Sequence, residues 1–332
     1  MLLFTPEQQA AVLAERAGFN QRMTALAANA AARIEGNSLA IPLDAWRRID
    51  TRAQALARTR LPIFNRLAKA STIPVDIADL VNFYPQMGDS GEVLVSMDGR
   101  NAAKADAPVM KFDGTPVPIL TSNSRIGWRQ MAVMRKGGGM FDTAAIANNQ
   151  RRIAEKLEDM VLNGLASINV NGATIYGLRN LPTRNAFTHG YTLATATGAQ
   201  WLDMVKKAIA QALGDNQYGR ITIFVNQGDY TAADTTDYAA NYAGTILDRL
   251  RAISQIVEIV PAASLPANEM LGIVDLDAGE WGGILSAMPL TTRPKTRLEP
   301  EDDYVFGVIA AAAPQFRSDF AGQSAFIHGT TA

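Results

Sequence analysis

The sequence predicts an α+β fold, and three features of its hydrophobic pattern support that prediction. One long amphipathic helix spans residues 142–164. Extended, strand-like runs precede this helix and also close the chain. Between helix and closing runs, residues 199–298 alternate helix and strand without the regular βα repeat of a parallel sheet. The fold class is therefore mixed α+β.

The long helix is indicated by apolar side chains that recur at steps of three and four residues. They are Ile146, Ile153, Leu157, Met160, Val161 and Leu165. The opposite face carries the charged residues Arg151, Arg152, Glu155, Lys156, Glu158 and Asp159. Asp142 is a suitable N-cap, Gly164 is a suitable end, and Arg151 and Glu155 stand one turn apart, as an ion pair requires. About 23 residues at 1.5 Å each give a helix of roughly 34 Å, long enough to span a domain.

Two helical segments are predicted before residue 62. A capping box starts the first at Thr5, and an alanine-rich run continues it to Ile34. The second begins at Asp44 and ends near Arg60, before Pro62. Because alanine buries little area, we expect this arm to pack on the body or on a neighbouring subunit.

Charge is distributed unevenly. Residues 1–70 hold ten Lys or Arg and five Asp or Glu, in a chain with a net charge of −1. Such an arm either contacts a polyanion or an acidic neighbour, or is a solvated helix surface, and we favour the solvated surface. The acidic run at residues 299–303 likewise either pairs with arginines of the arm or forms a solvated turn, and we favour the turn.

A projecting hairpin is predicted before the long helix. Its strands are Glu92–Met97 and Val109–Phe112, and the polar, turn-forming residues 98–107 lie between them. Pro116 and Pro118 suit an edge strand or the base of the hairpin, because proline donates no ladder hydrogen bond. Eight residues per arm of the hairpin, at about 3.3 Å each, would project the loop by roughly 26 Å. A two-stranded ribbon is marginal alone in water, so we expect it to lie on another surface.

After the long helix, Ile175–Leu178 is a short apolar anchor between turns and residues 183–198 are interpreted as a loop. Helices are then predicted at residues 201–213 and 245–253, strands at 220–226, 256–260 and 269–276, and an extended segment at 290–298. Asn226 and Asp229 are candidate caps for an intervening helix. The runs 304–313 and 315–327 are predicted to pair as long strands.

Neither catalysis nor a cofactor is expected. The chain has no cysteine, which excludes disulfides and zinc-thiolate sites, and its two histidines lie far apart in sequence. No signal peptide or membrane span is indicated, so we expect a soluble intracellular protein. Gly137–Gly139 form a hinge rather than a phosphate loop, because no Gly-Lys-Ser/Thr follows. The best polar constellation is Asp229, Asp234 and Asp237 with His189, but Asp229 is more simply a helix cap.

Three short segments together resemble the Hong Kong 97-type capsid fold, which tailed-phage major capsid proteins share with bacterial encapsulins. They are Val-Leu-Asn-Gly at 161–164, Tyr-Gly-Leu-Arg-Asn at 176–180 and Ile-Phe-Val-Asn-Gln-Gly-Asp-Tyr at 223–230. Their order, with the hairpin, the long helix and the closing strands, extends the resemblance over residues 70–330. The resemblance implies that the chain has five parts. The first two are a largely helical N-terminal arm at 1–75 and an E-loop hairpin with its base at 76–135. A peripheral domain with the spine helix at 136–198, an axial domain at 199–298 and closing C-terminal strands at 299–332 follow.

The resemblance also implies a function. The protein is expected to be a major capsid protein that assembles through pentamers and hexamers into an icosahedral shell around a double-stranded DNA phage genome. Expected partners are further copies of itself, scaffolding, portal and decoration proteins, and packaged DNA bound without sequence preference, with no cofactor and no membrane. The expected location is the virion capsid, assembled in the host bacterial cytoplasm. The alternative is an encapsulin-type compartment that holds a cargo enzyme, but the arm is longer than encapsulins usually have.

In capsids of this type, the E-loop of one subunit lies over the spine helix of the next. The residues predicted at this assembly interface are Arg100, Lys104, Lys111, Arg151, Arg152, Glu155 and Glu158. Some members of the family crosslink subunits through a hairpin lysine and an asparagine, helped by a buried glutamate. No such asparagine or glutamate aligns with Lys104 or Lys111, so we predict non-covalent assembly.

Overall fold

The computed structural model describes residues 15–24, 62–90, 93, 95, 97, 107–136 and 144–331. Residues 15–24 are helical. The labelled helices are α1 Pro62–Ala70, α2 Trp128–Lys136, α3 Ala144–Asn163, α4 Gly198–Gly214, α5 Gln227–Thr235 and α6 Ile246–Arg251. The strands are β1 Thr72–Pro74, β2 Val81–Met87, β3 Met110–Pro116, β4 Ile119–Ile126, β5 Leu165–Val170, β6 Ala173–Ile175, β7 Asn185–Thr188, β8 Ile221–Asn226, β9 Ile256–Ala262, β10 Met270–Val274, β11 Gly282–Pro294, β12 Tyr304–Phe316 and β13 Phe326–Thr330.

The strands form four sheets. One has the order β1-β11-β12-β4, a second has the order β7-β13-β10-β8-β9, and β2-β3 and β5-β6 are two-stranded. In the five-stranded sheet β10 is antiparallel to both of its neighbours, whereas β9 runs parallel to β8 and β7 runs parallel to β13. The mixed α+β class is confirmed, and no regular parallel βα repeat is present in these sheets.

The chain divides into two compact units. Unit 1 contains Ile119–Leu157 and Ser286–Ala312, together with the helical residues 15–24. Its core includes Ile146, Ile153 and Phe306. Unit 2 contains Pro62–Pro118, Glu158–Leu285 and Ala313–Ala332. In unit 2 the helix α4 packs over β13 and β7, and α6 packs over β9. The fully buried side chains of this unit include Trp201, Phe224 and Phe326.

The predicted long helix is confirmed as α3, with its predicted cap Asp142 outside the described residues. Five of its six predicted apolar residues are buried, namely Ile146, Ile153, Leu157, Met160 and Val161. The sixth prediction was wrong, because Leu165 is the first residue of β5. The helix ends at Gly164, whose φ of +69° favours glycine. A Cβ there would also lie 2.7 Å from the amide nitrogen of Gly177, so the close approach requires glycine as well.

The predicted hairpin exists, but its first strand was placed too late in the sequence. The observed partner of β3 is β2, with Val81 opposite Pro116 and Met87 opposite Met110. Residues 93, 95 and 97 belong to no strand. The β2 sequence Val-Asn-Phe-Tyr-Pro-Gln-Met has a weak strand signal, since polar residues occupy the face that packs on the body. Pro116 lies at the base of the hairpin, as predicted.

Two boundaries in unit 2 differ from the sequence prediction. The helix α1 begins at Pro62, where we expected a helix to have ended, because proline fits the first turn and lacks only an amide that would be unpaired there. Residues 183–198 are not a plain loop, since they contain β7 and a 3-10 turn at Leu193–Thr195. Four residues with alternating burial are too short to stand out from a loop in sequence.

The pairing of the closing strands also differs from the prediction. The strand β12 pairs with β4, and β13 pairs with β10 and β7, so the two closing strands lie in different sheets. The apolar character of both runs indicated strands, but strand partners are distant in sequence and periodicity does not select them. Asn226 caps α5, accepting a hydrogen bond from the Gly228 amide at 2.7 Å. Asp229 was predicted to cap the same helix but instead accepts one from the Asn268 amide at 2.7 Å.

Candidate assembly surface

The ribbon formed by β2 and β3 has a polar inner face. On this face Tyr84 stands opposite Asp113, and Gln86 stands opposite Lys111. Tyr84 and Gln86 are buried, and the amide of Gln86 donates to the Ser318 carbonyl at 3.1 Å. The Tyr84 hydroxyl is 3.1 Å from the Asp113 carboxylate, and burial together with this charge raises the pKa of Tyr84. Polar contacts therefore attach the ribbon to its own subunit.

A reciprocal amide pair fixes the base of the ribbon. The side-chain nitrogen of Asn82 donates to Gln315 Oε1 at 3.1 Å, and Gln315 Nε2 donates to the Asn82 carbonyl at 3.0 Å. Gln315 is fully buried, so loss of this pair would leave polar atoms unsatisfied. The guanidinium of Arg317 also lies 5.6 Å from the centre of the Tyr84 ring. These contacts hold the ribbon in one orientation.

The outer face of the ribbon is apolar and exposed. It consists of Phe83, Pro85, Met87, Met110 and Phe112, which share one side because residues alternate along each strand. Phe83 is 57% exposed, Met87 61%, Met110 53% and Phe112 62%. An ordinary surface ribbon has the opposite arrangement, with its apolar side turned inward. Exposed apolar patches of this kind are typical of surfaces that bind a partner.

The exposed apolar surface continues beyond the paired residues. Val93, Val95, Met97 and Val109 are 88%, 94%, 107% and 61% exposed. With Phe83, Met87, Met110 and Phe112 they make eight large apolar residues on this part of the chain. Together they present on the order of 800 Å² of apolar surface, about the area that one partner contributes to a standard protein interface.

The predicted interface residues lie in different surroundings. Arg100 and Lys104 lie outside the described residues. Lys111 is exposed on the ribbon, Arg152 is exposed on α3, and Arg151 and Glu155 form the expected ion pair at 3.4 Å. Their place in an assembly interface stays a prediction, as does the five-part division of the chain into domains. The seventh residue, Glu158, is in the subunit core and is not on the charged face of the helix.

Glu158 caps a helix from a distance. Its Oε2 accepts from the Phe64 amide at 2.9 Å, and its Oε1 accepts from the Ile63 amide at 3.2 Å and the Ser264 hydroxyl at 2.8 Å. These two amides belong to the first turn of α1, where no intrahelical acceptor exists. Burial raises the pKa of Glu158, and the three donors oppose that rise. This role was not predicted from the sequence, although Glu158 lies one turn from Ala154 on the apolar stripe of α3.

Arg66 provides a second attachment for α1. Its Nε pairs with Glu258 on β9, and its two terminal nitrogens bind the Asp277 carboxylate at 2.7 and 3.0 Å. The hydrogen bond to Asp277 raises the pKa of Arg66, with burial acting in the opposite direction. The helix α1 lies near the end of the predicted N-terminal arm at 1–75, so these contacts attach that part of the predicted arm to unit 2.

A partly buried polar network joins four segments of unit 2. Arg179 donates to both Glu269 oxygens at 2.7 Å and to Asn163 Oδ1 at 2.7 Å. His328 Nε2 is 3.3 Å from Glu269, and Arg184 Nε donates to His328 Nδ1 at 3.3 Å. This geometry requires a neutral imidazole with its proton on Nε2. Burial lowers the pKa of His328, and the charge of Glu269 only partly opposes that effect.

We expect acidification to destabilise the folded subunit through His328. The pKa of His328 in the folded subunit lies below its unfolded value of 6.5. The neutral ring therefore contributes stability that is fully present above pH 6.5. This stability is lost as the pH falls through the folded pKa. The measurement is the free energy of unfolding at about pH 7.5 and about pH 5, the range in which histidine titrates. His328→Gln should reduce the loss between the two pH values, and an unchanged loss would contradict this assignment. Burial also lowers the pKa of His189. Adding His189→Gln should therefore reduce the loss of unfolding free energy that remains in the His328→Gln variant.

The candidate catalytic constellation is only partly assembled. His189 Nε2 is 3.1 Å from the Asn268 carbonyl, and the Asp229 carboxylate accepts a hydrogen bond from the Asn268 amide. Both side chains therefore fix the backbone of Asn268. Asn268 has a φ of +63°, which explains why its turn needs such support. Asp234 and Asp237 are exposed. Among the residues that the structure describes, no three His, Asp or Glu side chains are grouped to hold a metal ion.

Several solved structures that are similar to this chain are shells. The chain is 11% identical to the virus-like particle from Pyrococcus furiosus, with a TM-score of 0.60, over 86% of this chain and 99% of that one. It is 12% identical to the capsid of Myoviridae phage XM1, with a TM-score of 0.63, over 80% and 90% of the two chains. For the capsid of cyanophage P-SCSP1u the identity is 15%, the TM-score 0.53 and the coverage 82% and 89%. These similarities show that the chain has the Hong Kong 97-type capsid fold.

The chain belongs to the family described as "Family of unknown function (DUF6260)", whose model matches residues 29–329. No curated protein matches the sequence. Across the described part of the chain, none of the helices combines the length and the apolar character that crossing a membrane requires.

Proposed function

We propose that this protein is the major capsid protein of a tailed phage, assembling through pentamers and hexamers into an icosahedral shell around double-stranded DNA. The single observation that supports assembly most strongly is the outer face of the ribbon, which is apolar and exposed in the isolated subunit. The fold supports the proposal, because the similar structures are capsids and a virus-like particle. On this proposal the subunit has a structural role and no catalytic one.

The proposed assembly covers the outer face of the ribbon with a neighbouring copy. Subunits around a five-fold or six-fold axis meet head to tail, so one surface patch meets a different patch of the next copy. Removing about 800 Å² of apolar surface from water at about 25 cal/mol per Å² gives a gross gain on the order of 20 kcal/mol, before the cost of ordering the subunits is subtracted. Because such contacts repeat over the whole shell, the net free energy of each one can be small.

The other partners belong to the same proposal. Scaffolding, portal and decoration proteins would guide and complete assembly in the host bacterial cytoplasm, and the packaged DNA would be contacted without sequence preference. The assembly would be non-covalent. The basic residues before position 70 are candidates for DNA contact, and such contact would weaken steeply with added salt, because phosphate binding releases counterions.

A second candidate function is an encapsulin-type compartment that holds a cargo enzyme. The similarity to the Pyrococcus furiosus virus-like particle favours it, since the match covers 99% of that chain. Purified particles distinguish the two functions by their contents. A phage capsid is expected to co-purify with scaffolding protein or DNA, whereas a compartment is expected to contain one abundant cargo protein.

A further inference from the structure

We propose that a cleft on the inner side of the ribbon binds a neutral saccharide unit. The cleft has a volume of about 300 Å³, at the lower end of the range for small-molecule sites. Its walls come from the ribbon, from β6 and the turn before it, and from residues within 181–183 and 314–322, all of which belong to unit 2. Saccharide binding goes beyond the proposed shell function and does not depend on it, because one chain supplies every wall.

Two aromatic rings of the cleft are accessible to a ligand. Tyr176 is 41% exposed and Phe320 is 43% exposed, and both line the cleft. Tyr176 is an exception within the predicted apolar anchor, because Ile175 and Leu178 of that segment are buried. An aromatic ring has a flat, electron-rich face, which matches the C–H face of a sugar ring. The two rings therefore provide stacking surfaces for a saccharide.

The acidic side chains of the cleft are held in place and keep the capacity to bind. The Asp113 carboxylate accepts from the Tyr84 hydroxyl at 3.1 Å and from the Gly114 amide at 2.9 Å. The Asp319 carboxylate accepts from the Gln323 amide at 2.7 Å. A carboxylate has about four acceptor sites, so both groups can also accept hydrogen bonds from the hydroxyls of a ligand.

The charges around the cleft balance. Asp113 and Asp319 carry the negative charge. Lys111 lines the cleft, and the Arg317 guanidinium lies 5.6 Å from the centre of the Tyr84 ring, so the positive charge is equal. A site without net charge attracts neither anions nor cations strongly. Hydroxyl groups both donate and accept, so a neutral sugar matches a lining of carboxylates and an ammonium group better than an ion does.

A buried hydroxyl of the cleft lacks a partner. Thr174 Oγ1 is buried, and no described residue forms a hydrogen bond with it. Burial of a polar group without a hydrogen bond costs free energy. Thr174 and Tyr176 both line the cleft, and they lie two residues apart, which places them on one side of an extended chain. A sugar stacked on the Tyr176 ring would therefore lie beside a hydroxyl that needs a partner.

Saturation-transfer NMR on the full chain tests the proposal with the methyl glycosides of glucose, galactose, mannose and N-acetylglucosamine. At least one glycoside is expected to bind with a dissociation constant on the order of 1 mM, which is usual for a ligand of this size. Saturation should be strongest for the protons of one sugar face, because that face stacks on the ring. Butane-1,4-diamine and inorganic phosphate are the ionic probes, and neither should displace the glycoside at equal concentration.

Three variants and a matched control locate the binding site. Tyr176→Ala and Phe320→Ala should each weaken binding about fivefold, because each removes a stacking ring. Asp319→Asn should weaken it by a similar factor, because it replaces the charged acceptor with a neutral one. Tyr218→Ala is the control, since Tyr218 is a 75% exposed tyrosine outside the cleft, and it should bind like the unaltered chain. Circular dichroism should show that all four variants are folded.

The outcomes separate this proposal from the shell function. Absence of saturation transfer for all four glycosides would overturn the proposal. Equal binding by Tyr176→Ala, Phe320→Ala and Tyr218→Ala would overturn it too, because the sugar would then lie outside the cleft. Displacement of the glycoside by either ionic probe would contradict a neutral ligand. Electron microscopy of the same unaltered preparation tests the shell function separately, and a lack of particles there would contradict only that function.

Discussion

Glu158→Ala is expected to lower the free energy of unfolding by about 3 kcal/mol or more. The substitution removes the acceptor of three hydrogen bonds and leaves the amides of Ile63 and Phe64 buried without a partner. Unsatisfied buried donors cost about 1–3 kcal/mol each, and the lost side-chain volume adds a cavity. The measurement is chemical denaturation of the unassembled subunit. Hydrogen exchange should increase first in α1, because its first turn loses the carboxylate.

Two variants make this prediction specific. Glu155→Ala lies on the same helix but on its exposed side, and its ion pair with Arg151 should contribute no more than about 0.5 kcal/mol. Glu158→Gln keeps one acceptor oxygen and places an amide group near a donor, so its loss should fall between those of the two alanine variants. If Glu158→Ala is as stable as Glu155→Ala, Glu158 does not anchor α1.

Phe83→Asp combined with Phe112→Asp is expected to prevent shell formation while the subunit stays folded. Both rings are more than half exposed in the single chain, so their removal costs little folding stability. In an assembled shell the same positions would bury charge in an apolar contact. Aromatic anchors at interfaces commonly contribute 2 kcal/mol or more each, so the assembled fraction should fall at least about tenfold. Sedimentation measures assembly, and circular dichroism measures the fold.

Phe83→Leu combined with Phe112→Leu is the matched control, because it changes the same positions but keeps them apolar. This variant should still assemble. Normal shells from the aspartate pair would show that the outer face of the ribbon is not an assembly surface. Unfolding of the aspartate pair would instead show that these rings belong to the subunit core, which would contradict their observed exposure.

Local sequence signals predicted those elements that local interactions determine. The helix α3 follows from its three- and four-residue periodicity and from Gly164. The buried strand β8 follows from a mostly apolar run that only Thr222 interrupts before Asn226. The helix predicted at 201–213 is observed as α4, which begins three residues earlier, after a capping box of Thr197 and Gln200 that the sequence analysis did not use. Such signals need only residues within a turn or two of each other.

The remaining features depend on contacts that are distant in sequence. Glu158 was assigned to the charged face of its helix because its donors lie 94 and 95 residues earlier in the chain. The ribbon strand β2 was missed because its inner face is polar, which reverses the usual strand pattern. The partners of β12 and β13 were mispaired because alanine-rich and apolar runs fit several neighbours equally well.

The measurement that tests the central claim most directly is to express the chain alone and examine it by size-exclusion chromatography and negative-stain electron microscopy. The expected result is closed hollow shells, or pentamers and hexamers as their building units. A clean monomer that stays monomeric at high concentration would contradict the shell function and leave the exposed outer face of the ribbon without an explanation.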